Sequence, residues 1–68
     1  MKNNTDNRIR EYRKKSGYTQ QQLAKKVGVT RLTIISLEKK RYEASVGLAI
    51  KISRVFACPV EELFIVEE

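Results

Sequence analysis

The feature that most constrains the fold of this chain is a pair of short helix signals, separated by one glycine, between residues 20 and 39. Thr19 is predicted to cap the first helix, because Gln22 lies three residues on and can bond back to the cap, as in a capping box. Gly28 can adopt the left-handed conformation that ends a helix at no steric cost. Thr30 is then placed to cap a second helix. The spacing therefore predicts two short helices joined by a tight turn.

The apolar residues of these helices indicate how the two pack. Leu23 and Val27 are four residues apart and share one helix face, while Ala24 leaves room for a close helix crossing. Ile34 and Leu37, three residues apart, are predicted to point back at that face. The second helix then has its other side in solvent. The residues predicted to face outward near its start are Arg31, Leu32, Thr33 and Ser36.

This stretch resembles the helix-turn-helix of the phage repressor and Cro family. The resemblance is carried by T-Q-x-x-L-A-x-x-x-G-V-T-x-x-x-I-x-x-L-E, and by the flanking I-R-E-Y-R-K-K-S-G-Y-T-Q and L-A-I-K-I-S-R-V-F-x-x-P-V-E-E-L-F. It runs from Ile9 to about Phe64, and it is strongest toward very small stand-alone bacterial repressors. It implies an all-α, five-helix repressor-like domain that places its second motif helix in the major groove of DNA.

Length and composition are consistent with one such domain over residues 1–68. A chain of 68 residues, 41% of them hydrophobic, can form one small core. No apolar run approaches the roughly 20 residues that a membrane span needs. The amino terminus, MKNNTDNR, is polar and does not resemble a secretory signal. We therefore expect a cytoplasmic protein without membrane contact, associated with the nucleoid through DNA.

Charge is distributed unevenly along the chain. Residues 1–42 hold twelve Lys or Arg against three Asp or Glu, whereas residues 43–68 hold two against five, and the balances of +9 and −3 give the net charge of +6. The basic part contains the predicted helix-turn-helix. This asymmetry favours a polyanionic partner on one face, although a positive half alone indicates only a solvated surface.

Three further helices are predicted around the motif. The first covers residues 7–15, with Asp6 or Thr5 as its cap and Gly17 as its stop. Ser45 is predicted to cap a fourth helix. The apolar face of that fourth helix is Leu48, Ile52, Val55 and Phe56.

The fifth helix is predicted at Val60–Leu63, where Pro59 suits its first turn. Phe64–Val66 then forms a possible short strand. Residues 1–6 lack the apolar side chains of a convincing strand partner. The resemblance to stand-alone repressors implies that this tail can pair with a strand or help two subunits associate.

Candidate DNA contacts follow from the resemblance and from side-chain chemistry. Gln20 is expected to bind a phosphate at the start of the first motif helix. Arg31 is the candidate for reading guanine, with phosphate contact as its alternative, and the methyl groups of Leu32 suit a thymine methyl. Tyr42 either donates its hydroxyl to the DNA or packs as a ring. The full predicted set is Gln20, Gln21, Thr30, Arg31, Leu32, Thr33, Ser36, Lys39, Lys40, Arg41 and Tyr42.

Other polar residues are predicted to have structural roles. Arg13 and Glu38 resemble the ion pair that ties the first helix to the third in the family. Cys58 is the only cysteine and is expected to be a small buried hydrophobic residue. Ile35 has no assigned role, because an outward isoleucine could pack, touch DNA or face a second subunit. With no His in the chain, we expect no metal, no cofactor, no small-molecule ligand and no catalytic residue.

The sequence predicts a sequence-specific, DNA-binding transcriptional regulator and not an enzyme. We expect a homodimeric repressor that binds half-sites about one helical turn apart. An antitoxin, or a controller of a restriction–modification system, would use the same domain. A protein-interaction module that kept the fold without DNA binding is the alternative from another class, and Arg31 with the basic run after the second motif helix argues against it.

Overall fold

The computed structural model describes residues 5–66. Within that range the chain forms five helices and a two-stranded sheet. The elements are β1 (Thr5–Asn7), α1 (Ile9–Ser16), α2 (Gln20–Val27), α3 (Arg31–Glu38), α4 (Val46–Val55), α5 (Val60–Leu63) and β2 (Phe64–Val66). The predicted five-helix fold with a short carboxy-terminal strand is therefore confirmed. None of these helices is long and apolar enough to cross a membrane.

The local chemistry of the two motif helices is as predicted. The Thr19 hydroxyl accepts a hydrogen bond from the Gln22 N–H at 3.0 Å, and the Gln22 side chain accepts one from the Thr19 N–H at 2.8 Å. Gly28 ends α2 with a φ of 74°, in the left-handed region. The Thr30 hydroxyl then accepts a hydrogen bond from the Thr33 N–H at 3.3 Å and caps α3. These contacts fix the tight connection between α2 and α3.

The predicted cap of α1 is wrong. The helix begins at Ile9 after Arg8, whose side chain makes no capping hydrogen bond, and Thr5 and Asp6 lie in β1 instead. The Asn7 side-chain oxygen accepts a hydrogen bond from the Ile9 N–H at 3.2 Å, and its amide donates to the Leu37 carbonyl at 2.8 Å. The segment before α1 therefore connects that helix to the end of α3.

The expectation that the amino-terminal segment is a poor strand partner is also wrong where the structure describes it. Thr5, Asp6 and Asn7 pair antiparallel with Val66, Ile65 and Phe64 respectively. The Arg8 N–H extends this ladder by donating to the Leu63 carbonyl at 2.9 Å. Backbone groups make these bonds, so apolar side chains in β1 are not required. Residues 1–4, which that expectation also concerned, lie outside the described residues.

One hydrophobic core joins all five helices. Its fully buried large side chains are Ile9, Leu23, Ile34, Leu37, Ile52 and Leu63. On α4, Leu48 is buried as predicted, whereas Val55 and Phe56, the residue just after the helix, are half-buried at the edge of the core. The Phe56 ring meets the Tyr12 ring edge-on, with centroids 5.8 Å apart. The core thus fixes α3 against the other helices and leaves its outer face exposed.

Candidate nucleic-acid interface

The exposed side of α3 is set by its buried side. Ile34 and Leu37 are fully buried, and this directs the residues at the start of the helix away from the core. Arg31 lies in solvent, and the Leu32 side chain is 72% exposed. Thr33, whose hydroxyl lies 3.1 Å from that of Thr30, is half-exposed. The outer face of α3 therefore presents a cation, an alkyl group and hydroxyls on one rigid element.

A shallow surface depression of about 310 Å³ runs beside this face. Leu32, Thr33 and Ser36 line it from α3, and Tyr42 lines it from the segment that follows α3. The Tyr42 ring is 45% exposed, so it stands beside α3 without being packed into the core. Four of the predicted contact residues are brought together here.

The first motif helix is tied to α1 and α3 by a network around Glu38. One carboxylate oxygen, Oε2, accepts from Arg13 Nε at 2.7 Å, and Oε1 accepts from Arg13 Nη2 at 3.1 Å. Oε1 also accepts from Gln20 Nε2 at 3.3 Å. The Arg13 and Glu38 side chains are only 12% and 5% exposed. The structure thus joins the two predicted pair residues and attaches Gln20, at the amino end of α2, to them.

Arg13 makes a further contact outside its pair with Glu38. Arg13 Nη1 donates to the Tyr18 carbonyl at 3.0 Å, which extends the network to the α1–α2 connection. The hydrogen bonds to Glu38 raise the pKa of the Arg13 guanidinium against the opposing effect of burial. Arg13 therefore stays charged, and the pair fixes the angle between α1 and α3.

The basic segment after α3 curls back over the end of that helix. The backbone N–H groups of Lys39, Lys40 and Arg41 donate to the carbonyls of Ile35, Leu37 and Ser36 respectively, each at 3.0 Å. Lys39 and Arg41 are exposed, beside the carboxyl end of α3. This arrangement places two cations next to the outer face of α3 without any ionic partner within 4 Å among residues 5–66.

Lys40 differs from its neighbours. It has a φ of 60°, in the left-handed region, and its Nζ lies 2.7 Å from Asp6 Oδ1 on β1. The hydrogen bond from Lys40, helped by one from the Asn7 N–H, lowers the pKa of the Asp6 carboxyl. The prediction treated Lys40 like Lys39, and it missed Asp6. No local pattern marks this contact, because it exists only once β1 has paired with β2.

The remaining predicted residues lie at the edges of this surface. Gln21 is exposed on the first turn of α2, next to Gln20. Ile35 is half-buried. Cys58 is half-buried against the core, and burial raises the pKa of its thiol. No group of His, Cys, Asp or Glu side chains in the described part of the chain is arranged to hold a metal ion.

Comparison with known proteins identifies the family to which the sequence and the fold are similar. The family model described as helix-turn-helix matches residues 9–63. A helix-turn-helix-type transcriptional regulator of Archaeoglobus fulgidus is 57% identical over 61 residues, which cover 90% of this chain and 87% of that protein. One from Methanothermobacter thermautotrophicus is 52% identical, covering 88% of each chain. The regulator YgzD of Bacillus subtilis is 42% identical over 62 residues, covering 91% of this chain and 94% of that one.

Solved structures of repressor domains have the same fold. The P22 c2 repressor, solved in complex with a synthetic operator, matches with a TM-score of 0.77 and 31% identity over 79% of this chain and 82% of that chain. The amino-terminal DNA-binding domain of SinR from Bacillus subtilis matches with a TM-score of 0.73 and 34% identity, covering 79% of this chain and 80% of that one. Both fold and sequence therefore agree with these proteins over 79% of this chain.

Proposed function

We propose that this chain, which belongs to the helix-turn-helix family of transcriptional regulators, represses transcription. In this proposal it binds a specific inverted-repeat operator as a homodimer. In this proposal α3 enters the major groove and reads base edges. The proposed role is DNA binding and not catalysis. This proposal places the protein in the cytoplasm, on the chromosomal DNA.

The observation that carries this proposal is the composition of the outer face of α3. A leucine that is 72% exposed on a rigid helix leaves alkyl surface in water unless a partner covers it. Leu32 lies between Arg31 and Thr33, so the covering partner must also satisfy a guanidinium and a hydroxyl. Neighbouring base pairs in the major groove offer such partners, because guanine O6 and N7 accept from a guanidinium while thymine presents an O4 acceptor and a methyl group.

Phosphate contacts are proposed on both sides of that helix. The first turn of α2 presents backbone N–H groups and the positive end of the helix dipole, with Gln20 and Gln21 beside them. Lys39 and Arg41 lie at the other end of α3. Phosphates bound at these two places would fix how deep α3 sits in the groove, while carrying no sequence information themselves.

The predicted homodimer agrees with the size of the molecule. A single small module contacts too little DNA for the usual specific affinity of about 10⁻⁸ to 10⁻¹¹ M. The described residues span 31 × 23 × 20 Å, and successive half-sites lie about 34–36 Å apart along one face of DNA. Two copies side by side therefore match the spacing of one helical turn.

The test is selection of DNA from a random duplex library, with sequencing of the retained fraction. Moderate salt is used, so that phosphate contacts alone do not hold the DNA. An enriched inverted repeat with half-sites one turn apart is the expected result. Retention without enrichment would replace the proposal with non-specific binding, and no retention would favour an interaction module on the same fold.

A further inference from the structure

Three consecutive cations follow α3, and their surroundings are not the same. Lys39 and Arg41 are exposed, and neither has an ionic partner within 4 Å in the part of the chain from residue 5 to residue 66. Lys40 lies between them, and its Nζ is 2.7 Å from Asp6 Oδ1. The middle cation of the run is therefore paired with a carboxylate of β1, a strand near the start of the chain.

The backbone at Lys40 forms a left-handed helix end of the Schellman type. The Lys40 N–H donates to the Leu37 carbonyl and the Arg41 N–H donates to the Ser36 carbonyl, each at 3.0 Å. Lys40 has a φ of 60°, which is the conformation that this motif requires at the residue after the cap. The helix therefore ends at Lys39, and the Lys40 side chain lies against β1.

Asp6 is held beside the end of α3 by the backbone of β1 and by the next residue. In the two-stranded sheet, Asp6 lies opposite Ile65. The side-chain amide of Asn7 donates to the Leu37 carbonyl of α3 at 2.8 Å. Asp6 Oδ1 also accepts a hydrogen bond from the Asn7 N–H at 2.7 Å. The carboxylate is therefore fixed in place, whereas the lysine that meets it has a flexible four-carbon stem.

The ion pair between Lys40 and Asp6 is accessible to solvent. The two side chains are 52% and 44% exposed, and exposed pairs are weak because water and salt screen them. The hydrogen bond from Lys40 lowers the pKa of the Asp6 carboxyl, so this group is ionised at neutral pH. A carboxylate and a phosphate both accept charge-assisted hydrogen bonds from an ammonium. Asp6 and a DNA phosphate therefore compete for the same ammonium group.

We propose that Asp6 limits the affinity of this protein for DNA by holding Lys40 away from the phosphate backbone. The inference rests on the proposed function, in which Lys39 and Arg41 bind phosphates. The Cα atoms of consecutive residues lie about 3.8 Å apart, so a DNA strand held by those two residues passes near Lys40. Lys40, predicted from the sequence to contact DNA, then does so only when Asp6 is removed. Asp6 is thus a positioning residue that acts through Lys40.

The test is the salt dependence of operator binding by the full chain, measured by fluorescence anisotropy at salt concentrations from about 50 to 200 mM. Asp6→Asn keeps a side-chain oxygen that can accept from the Asn7 N–H. It should bind more tightly, with a slope of log affinity against log salt that is steeper by about 0.9 for each bound copy. Its gain in affinity is then about threefold larger per copy at the lowest salt than at the highest. Glu11→Gln removes the same charge from an exposed position on α1 and should keep the original slope.

Lys40→Gln distinguishes a released phosphate contact from a general loss of repulsion. Asp6→Asn removes a negative charge near the DNA in any background, but it releases an ammonium only when Lys40 is present. In a Lys40→Gln background, Asp6→Asn should therefore change the slope much less than in the original chain. Equal increases in both backgrounds would show that Asp6 acts by repulsion alone, and would overturn the inference. So would a slope that falls by about 0.9 per copy in Lys40→Gln alone, because Lys40 would then already bind a phosphate.

A purely structural role for Asp6 predicts the opposite result, because loss of the ion pair would weaken the fold and the binding together. Circular dichroism checks that each variant is folded, and if Asp6→Asn unfolds, the slope of Lys40→Gln alone decides between the outcomes. If the original chain binds the operator and Asp6→Asn behaves like Glu11→Gln, the inference is wrong while the proposed function stands. If the original chain binds no duplex at any salt, the proposed function fails and the inference fails with it.

Discussion

Leu32 is a large hydrophobic residue that the fold leaves 72% exposed. Core packing does not use it, because Ile34 and Leu37 supply the buried face of α3. An exposed leucine on its own is common on protein surfaces. What distinguishes this one is its place between Arg31 and Thr33 on the helix proposed to enter the groove.

The first prediction concerns the thymine methyl that Leu32 is proposed to touch. Replacing that thymine with deoxyuridine in the selected operator should weaken binding about fourfold, the value of one buried methyl group. Leu32→Ala should bind both duplexes equally, and it should unfold at the same urea concentration as the original chain. The measurement is fluorescence anisotropy with each thymine replaced in turn. Equal sensitivity to uridine in both proteins at every position would refute the contact.

The second prediction concerns the pair between Arg13 and Glu38. Glu38→Ala leaves a buried guanidinium without its partner and should lower the free energy of unfolding by about 3–5 kcal/mol. Arg13→Met combined with Glu38→Leu should be more stable than the single variant, because no unpaired charge is left. Urea unfolding followed by circular dichroism measures both. A Glu38→Ala protein that unfolds at the original midpoint would show that the pair does not hold α1 against α3.

At the scale of elements, the turn between α2 and α3 depends on one backbone conformation. Gly28 has a φ of 74°, and a Cβ built there meets no atom within 4 Å. Gly28→Ala should therefore destabilise the protein through the backbone alone, by about 1–2 kcal/mol. Gly47→Ala is the matched control, because Gly47 lies within α4 and its added Cβ also meets open space. It should stabilise by about 0.5–1 kcal/mol. Equal thermal midpoints for the two variants would contradict this account of the turn.

Which elements the sequence predicts depends on how local their determinants are. Thr19, Thr30 and Ser45 each cap a helix by accepting from an N–H three residues further on. Both partners are therefore visible in a short stretch of sequence. The strand β1 has no such signal. This strand forms because Asn7, just before α1, and Phe64, just after α5, are brought together when the helices pack. Without that long-range information, the sequence pattern favours Thr5 or Asp6 as a helix cap and not as part of a strand.

The candidate site also contains residues with local determinants and residues whose contacts are long-range. Residues on one face of α3 follow from helix periodicity, and Tyr42 joins them only because the chain curls back after Lys39. The partner of Lys40 could not be inferred, since Asp6 is distant in the sequence and contacts Lys40 only in the folded chain. The groove lined by Val46, Ile50 and Val60 was not predicted either, because apolar residues on a helix resemble core residues until the buried face is known.

For the molecule as a whole, the ion pair between Lys40 and Asp6 connects the sheet to the end of α3. Because the Asp6 pKa is lowered from its ordinary value of 3.8, the pair stabilises the folded protein above that pH. Its contribution is lost as the pH falls through the lowered pKa, where the carboxyl group becomes neutral. Asp6→Asn should therefore be less stable than the original chain at pH 7, and the difference should vanish in acid.

Thermal unfolding at a series of pH values measures that difference. In a Lys40→Gln background, Asp6→Asn should produce a smaller pH-dependent change, because Lys40 is gone and the bond from the Asn7 N–H remains. A stability difference of the same size at every pH would show that Asp6 acts through its shape and not through its charge.

Charge is distributed unevenly along the chain. The basic residues are concentrated before residue 43, where α3 and its flanks lie, and five of the eight acidic residues lie from residue 43 onward. Such a distribution of charge favours a polyanionic partner on the basic side of the molecule.

The most direct test of the central claim, that the outer face of α3 reads DNA sequence, is the operator preference of an Arg31 variant. Selection from the random library is repeated with Arg31→Ala, and with Arg10→Ala, which removes an equal charge from an exposed position on α1. We predict that Arg31→Ala loses its preference at one position in each half-site and keeps the spacing, at a cost of about 1–3 kcal/mol. Arg10→Ala should select the original operator. An unchanged motif for Arg31→Ala would contradict the claim.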